Sequence, residues 1–155
     1  MRTPAQRLAD LGLELPAPPP AGGNYLPFRR VGTLLHLPGV IPSWNGELRW
    51  QGKVAADLTV AQGYEAAKLC ALNLLACARL ALGDLDRIRQ IVSVNGYVNC
   101  VPGFADAPKV INGASDLLVE LFGDAGRHVR AAIGVAGLPQ NAAVEVQMVA
   151  EVDGP

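Results

Sequence analysis

Residues 126–152, GRHVRAAIGVAGLPQNAAVEVQMVAEV, decide how this chain must fold. They read as two β-strands parted by a Gly-Leu-Pro-Gln-Asn break. The first, from His128 to Ala136, is rich in small and β-branched residues. In the second, from Ala143 to Val152, Val144, Val146 and Met148 alternate with Glu145 and Gln147. Two charges interrupt the middle of this apolar unit, Arg130 and Glu145. A hairpin pairing Ala136 with Ala143 puts Arg130, Ala132 and Gly134 on one face with Glu145, Gln147 and Val149, because side chains alternate with period two. A one-residue slip would separate the charges. A guanidinium and a carboxylate on one small-residue surface fit two readings: a binding site for a small polar molecule, or a structural ion pair or two solvated charges. The strand pattern leaves both open.

Working back from this unit, two helices are marked by their ends. Thr59 and Gln62 form a capping box, Gly83 stands at the C-cap, and Val60, Ala67, Ala71, Leu74, Ala78 and Leu82 recur at helical spacing. Leu69, Leu72 and Cys77 spread the apolar surface around this helix, which should be covered on more than one side. Residues 87–101 follow as a long central strand carrying Ile88, Ile91, Val94, Val98 and Val101. Asp106-Ala107-Pro108 opens a second helix, with Asp106 as N-cap and Gly123 as its end. Val110, Ala114, Leu117, Leu118 and Leu121 form its buried stripe. Asn112, placed in its first turn, either reaches towards a ligand or caps locally.

Nearer the start, short strands at 25–31 and 33–37 flank Gly32, and Asn45-Gly46 supplies the tight turn of a hairpin within 43–52. Tyr25 and Gly39 stand out, one a polar-tipped aromatic, the other a backbone free of Cβ. A half-buried core tyrosine and an ordinary turn glycine are the plainer readings. Trp44 and Trp50 are expected to pack on the sheet. Thr3-Pro4-Ala5-Gln6 is another capping box, Gly12 sits at the matching C-cap, and residues 15–23, LPAPPPAGG, make an extended tether. The chain thus divides into a short helix with a Pro-rich tether at 1–23, laid on the outside, and one domain at 24–155. Strand–helix–strand–helix–strand order in the middle demands crossovers and parallel pairing, while the ends add antiparallel pairs. The expectation is an α+β fold: a mixed sheet with two main helices on one face.

Half of the 155 residues are hydrophobic and only 17% are charged, below the roughly 25% usual for soluble domains. So much apolar surface is hard to hide in a monomer of this size, which predicts a homo-oligomer. A net charge of -1 argues against nucleic acid as the main partner, which normally needs a basic face. No apolar run reaches the length of a membrane span, and the start lacks a signal-peptide pattern. Cys70 and Cys77 lie roughly 10 Å apart along one helix, too far to bridge. With Cys100 they make no disulfide framework, and a reducing cytoplasmic setting is expected. His36 and His128 have no spacing that suggests a metal site with the cysteines, and neither a Walker loop nor a G-x-G-x-x-G signature occurs. No metal or nucleotide cofactor is expected.

Four blocks carry a resemblance over residues 24–152: GNYLPFRRVGTLLHLPGVIP, GKVAADLTVAQGYEAAKLCALNLL, GDLDRIRQIVSVNGYV with GFADAPKVIN, and RAAIGVAGLPQNAAVEVQMVAEV. Together they resemble the Rid proteins, the reactive intermediate deaminases, also called YjgF-like or L-PSP endoribonuclease-like. The last block is the most specific: an arginine, a small-residue strand, Leu-Pro, then a Val-Glu-Val strand. The resemblance implies a chorismate-mutase-like fold, a homotrimer with ligand clefts between adjacent subunits, and no cofactor. It implies hydrolysis of reactive imines or enamines to oxo acids and ammonia. Arg130 then matches the arginine that grips the substrate carboxylate, and Glu145 the carboxylate that orients the attacking water. Tyr25 and Gly39 match cleft residues, and Asn112 an asparagine near the substrate.

The chain also departs from the archetype. Ala132 stands where archetypal members often have cysteine, which rules out thiol chemistry there and leaves only backbone to contribute. Segments 43–53 and 104–111 look longer, and residues 1–23 are an extension, marking an outlying branch. His128 shares Arg130's predicted face and reaches either the cleft rim or a structural role. A non-catalytic small-molecule or protein-binding member of the same family is the alternative function. RNA cleavage, a label the family carries, has little help from a sequence with no basic stripe, no aromatic stacking cluster and no paired catalytic histidines.

Overall fold

The computed structural model describes residues 1–154. Three helices and seven strands follow in the order α1 (Pro4–Asp10), β1 (Arg29–Val31), β2 (Leu34–His36), β3 (Ser43–Trp44), β4 (Glu47–Leu48), α2 (Val60–Leu82), β5 (Ile88–Asn99), α3 (Ala107–Phe122), β6 (Val129–Val135) and β7 (Val144–Val152). A mixed five-stranded sheet, ordered β1-β2-β7-β5-β6, carries α2 and α3 on one face. This is the α+β architecture expected from the order of the elements, a mixed sheet with two main helices on one face. β3 and β4 form a separate hairpin turning at Asn45 and Gly46, both left-handed. Among the described residues, no helix is long and apolar enough to cross a membrane.

The helix boundaries follow from local chemistry. Thr59 and Gln62 satisfy each other's backbone N–H groups at the start of α2, and Gly83 ends it at φ +83°. Thr3 and Gln6 do the same for α1. Asp106 precedes α3, but its side chain makes no capping bond; it pairs instead with Lys109 at 3.5 Å. Asn112 lies in the second turn of α3, not the first. The strand expected from residue 25 begins only at Arg29, because Pro27 interrupts the run of N–H donors needed for a ladder. Helix α1 packs against α3, with Leu8 buried and the Arg7 guanidinium donating to the Leu121 carbonyl at 3.4 Å. A cation at a helix C-terminus is favourably placed.

The largest difference from the sequence expectation concerns β6 and β7, which are not paired. β5 lies between them, parallel to β6 and antiparallel to β7. Helix α3 is the crossover that makes the parallel pair possible. The 136–143 segment then passes over the end of β5, where Asn99 donates to the Ala143 carbonyl and Cys100 to that of Val135. The insertion reverses the face argument. Arg130 is level with Val94 and Met148, both buried beneath the helices, whereas Glu145 is level with Tyr97 and Ile133. Glu145 alternates with the buried Val144 and Val146 and so turns away from the helices. Arg130 and Glu145 occupy opposite faces, and no ion pair joins them within one chain.

Candidate functional site

The candidate residues assemble as two separate groups. The first lies where β6 meets α3. Arg130 donates from Nη1 to Asn112 Oδ1 at 2.7 Å and to Ser115 Oγ at 3.1 Å, and from Nη2 to the Pro108 carbonyl at 3.4 Å. Asn112 and Ser115 are three residues apart on α3 and therefore share a face. A guanidinium normally seeks a carboxylate; here an amide, a hydroxyl and a carbonyl hold it. Its orientation is fixed, and among the described residues no carboxylate forms a salt bridge with it; Asp116, which lines the same depression, accepts instead from the Tyr64 hydroxyl.

His128 completes this row. Its Nδ1 lies 2.7 Å from the Gly126 carbonyl, which can only accept, so Nδ1 carries the proton and Nε2 accepts from Ser115 Oγ at 2.9 Å. Burial lowers the His128 pKa, the Arg130 charge lowers it further, and the Gly126 bond opposes both. The ring is therefore neutral at pH 7. Ala132 sits half-buried, two residues beyond Arg130 on the same side of β6.

The second group surrounds Glu145, which with Gly39 and Tyr25 lines a cavity of about 670 Å³. Burial alone raises the Glu145 carboxyl pKa, with no neighbouring charge or hydrogen bond contributing to the shift. Leu37 and Val40 bond to β7 through their backbones, which lays Gly39 against the strand that carries Glu145. A Cβ at Gly39 would fall 2.6 Å from Glu145 Oε2. That atom is the end of a flexible side chain, so Gly39→Ala is expected to displace the carboxylate, not to unfold the protein. The melting temperature should stay within about 4 °C of wild type, while the Glu145 titration followed by carboxyl NMR moves. An unchanged titration would show that the close approach is unimportant.

A single chain therefore brings Arg130, Asn112 and Ala132 together, and separately Glu145, Gly39 and Tyr25. Ser115 was not legible as a site residue, although its i+3 spacing from Asn112 was a usable signal. The tether residues Pro19, Pro20, Ala21 and Gly22 line the Glu145 cavity as well.

A family model described as "YjgF/chorismate_mutase-like, putative endoribonuclease" matches residues 5–152. The chain belongs to this family. The matched span takes in α1 and the tether as well as the sheet. Protein TCP17 of Trypanosoma cruzi is 42% identical over 150 residues, covering 96% of this chain and 94% of the relative. The crystal structure of Atu1372 from Agrobacterium tumefaciens, of unknown function, is 45% identical with a TM-score of 0.88, covering 95% of this chain and 91% of that one. A Shewanella oneidensis crystal structure carrying the same endoribonuclease label is 42% identical with a TM-score of 0.94, covering 97% of this chain and 100% of that one. The two solved structures share the fold nearly throughout, and the three names agree on no single reaction.

Proposed function

We propose that the chain is a cofactor-independent hydrolase converting reactive 2-imino or enamino acids to 2-oxo acids and ammonia. It works as a homotrimer in which each cleft joins Arg130 of one subunit to Glu145 of the next. The observation that carries this reading is an arginine held only by neutral acceptors on one face, with a desolvated carboxylate in a cavity on the other. Each half lacks the charge the other supplies, and a ring of identical subunits brings opposite faces together.

In this mechanism Arg130 grips the substrate carboxylate with the fork of its guanidinium, oriented by Asn112 and Ser115. Water adds to the imine carbon as the nitrogen takes up a proton. Glu145 accepts a proton from the attacking water and passes it to nitrogen. The carbinolamine hydroxyl then gives its proton, again by way of Glu145, to the amino nitrogen as the C–N bond breaks, so ammonia leaves and the carbonyl forms. A carboxyl whose pKa burial has raised is suited to both transfers. Gly39 allows Glu145 its position, Tyr25 walls the cleft, and Ala132 contributes only backbone. RNA cleavage finds no comparable constellation, since His36 and His128 are separated by β7 and β5.

The test generates 2-iminopropanoate and larger imines in place with an amino-acid oxidase and traps the remainder with semicarbazide. Suppression of the trapped imine by wild type supports the deaminase reading. No suppression across several imines leaves the family's binding role as the better account.

Glu145→Gln is expected to lower hydrolysis by about 10²-fold or more, the usual scale for a lost general base. It should also be at least as stable as wild type at pH 7. Because the folded pKa of Glu145 is raised, its ionisation costs stability as pH rises through that value. The advantage of glutamine should therefore shrink as pH falls through the Glu145 folded pKa. Paired thermal melts across that range check the sign; a variant less stable at every pH would contradict the desolvation argument.

A further inference from the structure

The tether is pinned in place. The Ala17 N–H donates to Asn45 Oδ1 at 2.7 Å and the Gly22 N–H to Tyr25 Oη at 2.9 Å, so the segment is tied to the β3–β4 turn and to the aromatic at the cleft. Pro16 is buried, and Leu13 and Leu15 pack on the core. Prolines at 16, 18, 19 and 20 fix φ along the segment, so little chain entropy remains to be lost when something binds against it. Ile41, Leu48 and Pro139 line the same cavity, with Ser43, Gln140 and Tyr25 as its uncharged polar side chains. Among the described residues of one chain no lysine, arginine or histidine lines the space and its one charged group is Glu145. In the proposed cleft the neighbouring subunit's Arg130 is taken up by the substrate's own 2-carboxylate.

A cavity of about 670 Å³ lies in the range of pockets that enclose whole small organic molecules. It offers far more room than the methyl group of an alanine-derived imine fills. Its apolar walls reward a bulky hydrocarbon, and Glu145 repels an acidic one. We infer that the pinned tether and the β3–β4 hairpin make the Glu145 cavity a specificity pocket for 2-imino acids with branched or aromatic apolar side chains, and that they exclude acidic ones. This rests on the deaminase reading for the reaction, while the side-chain preference rests on the cavity alone.

The stable 2-oxo acids separate the two. Calorimetry on the wild-type protein compares pyruvate, 4-methyl-2-oxopentanoate, phenylpyruvate and 2-oxoglutarate, alongside turnover of the corresponding imines. A buried methylene is worth about fourfold in affinity, so 4-methyl-2-oxopentanoate should bind at least about tenfold tighter than pyruvate. Phenylpyruvate should follow it, and 2-oxoglutarate should bind weakest. Leu48→Trp, which fills the space, should collapse the ratio of 4-methyl-2-oxopentanoate to pyruvate towards one. Asn45→Gly keeps the left-handed turn and removes the pin on Ala17, and should reduce the same ratio if the tryptophan variant does not fold. The inference is overturned if wild type binds pyruvate as tightly as the larger acids, prefers 2-oxoglutarate, or binds none of them. It is also overturned if neither folded variant changes the ratio. Selective binding without imine turnover would leave the pocket standing and remove the deaminase reading.

Discussion

Gly113→Ala should cost the protein at least about 3 kcal/mol, at or beyond the upper end for overpacked cores. Gly113 lies on α3 where it crosses α2. A Cβ there would overlap the Tyr64 carbonyl oxygen, come within 2.8 Å of its carbon and reach 3.2 Å from the Lys68 nitrogen. All three are backbone atoms of a 23-residue helix, so no side-chain rotation relieves the clash. The helices must separate, and close packing between Gly63 and Val110 goes with it. Alanine's better helix propensity returns only about 1 kcal/mol. Domains of this size melt about 2–4 °C lower per kcal/mol, so a fall near 10 °C is expected. Gly137→Ala is the control, since its Cβ would meet nothing within 4 Å. Thermal melts of both variants decide the matter, and a Gly113→Ala protein melting with wild type would show that the crossing can slide open.

The helices were the legible part of this fold, because the capping boxes at Thr3/Gln6 and Thr59/Gln62 and the glycines after α2 and α3 act through neighbours a few residues away. The tight turn at Asn45-Gly46 was readable for the same reason. Strand partnership was not. Alternation along β6 and β7 says which side chains share a face within each strand but not which strand lies alongside, and β5 has two edges to offer. Assuming a hairpin put Arg130 and Glu145 together; inserting β5 parts them.

The site residues were legible mainly through the family resemblance, and the arrangement that makes them a site was not. Ser115 reads in sequence as an ordinary polar helix residue, yet it bridges Arg130 and His128. The tether's composition announced an extended segment, but nothing local could say that it runs beside Glu145. Both depend on contacts across long stretches of chain.

Arg130→Ala should lower kcat/KM for 2-imino acids by about 10²-fold or more, on the scale of removing one preorganised electrostatic contact. The fold should stay intact. Arg130 is half-buried, and the Asn112, Ser115 and Pro108 oxygens it leaves behind can be met by water at a cost of about 1 kcal/mol. Arg130→Lys should recover little, because a point charge does not replace a planar fork. An unfolded Arg130→Ala protein by circular dichroism would mean that the network is structural. The sharper experiment exploits the opposite faces. If each cleft takes Arg130 from one subunit and Glu145 from its neighbour, Arg130→Ala and Glu145→Gln subunits co-assembled in equal amounts should rebuild some intact clefts. In a randomly mixed ring, about a quarter of the interfaces would pair the unaltered Arg130 with the unaltered Glu145. Activity should therefore return from near zero to about that fraction of wild type. A cleft contained in a single chain cannot be repaired this way, so mixing that restores nothing would remove the shared cleft and leave Arg130 and Glu145 as two unrelated surface features.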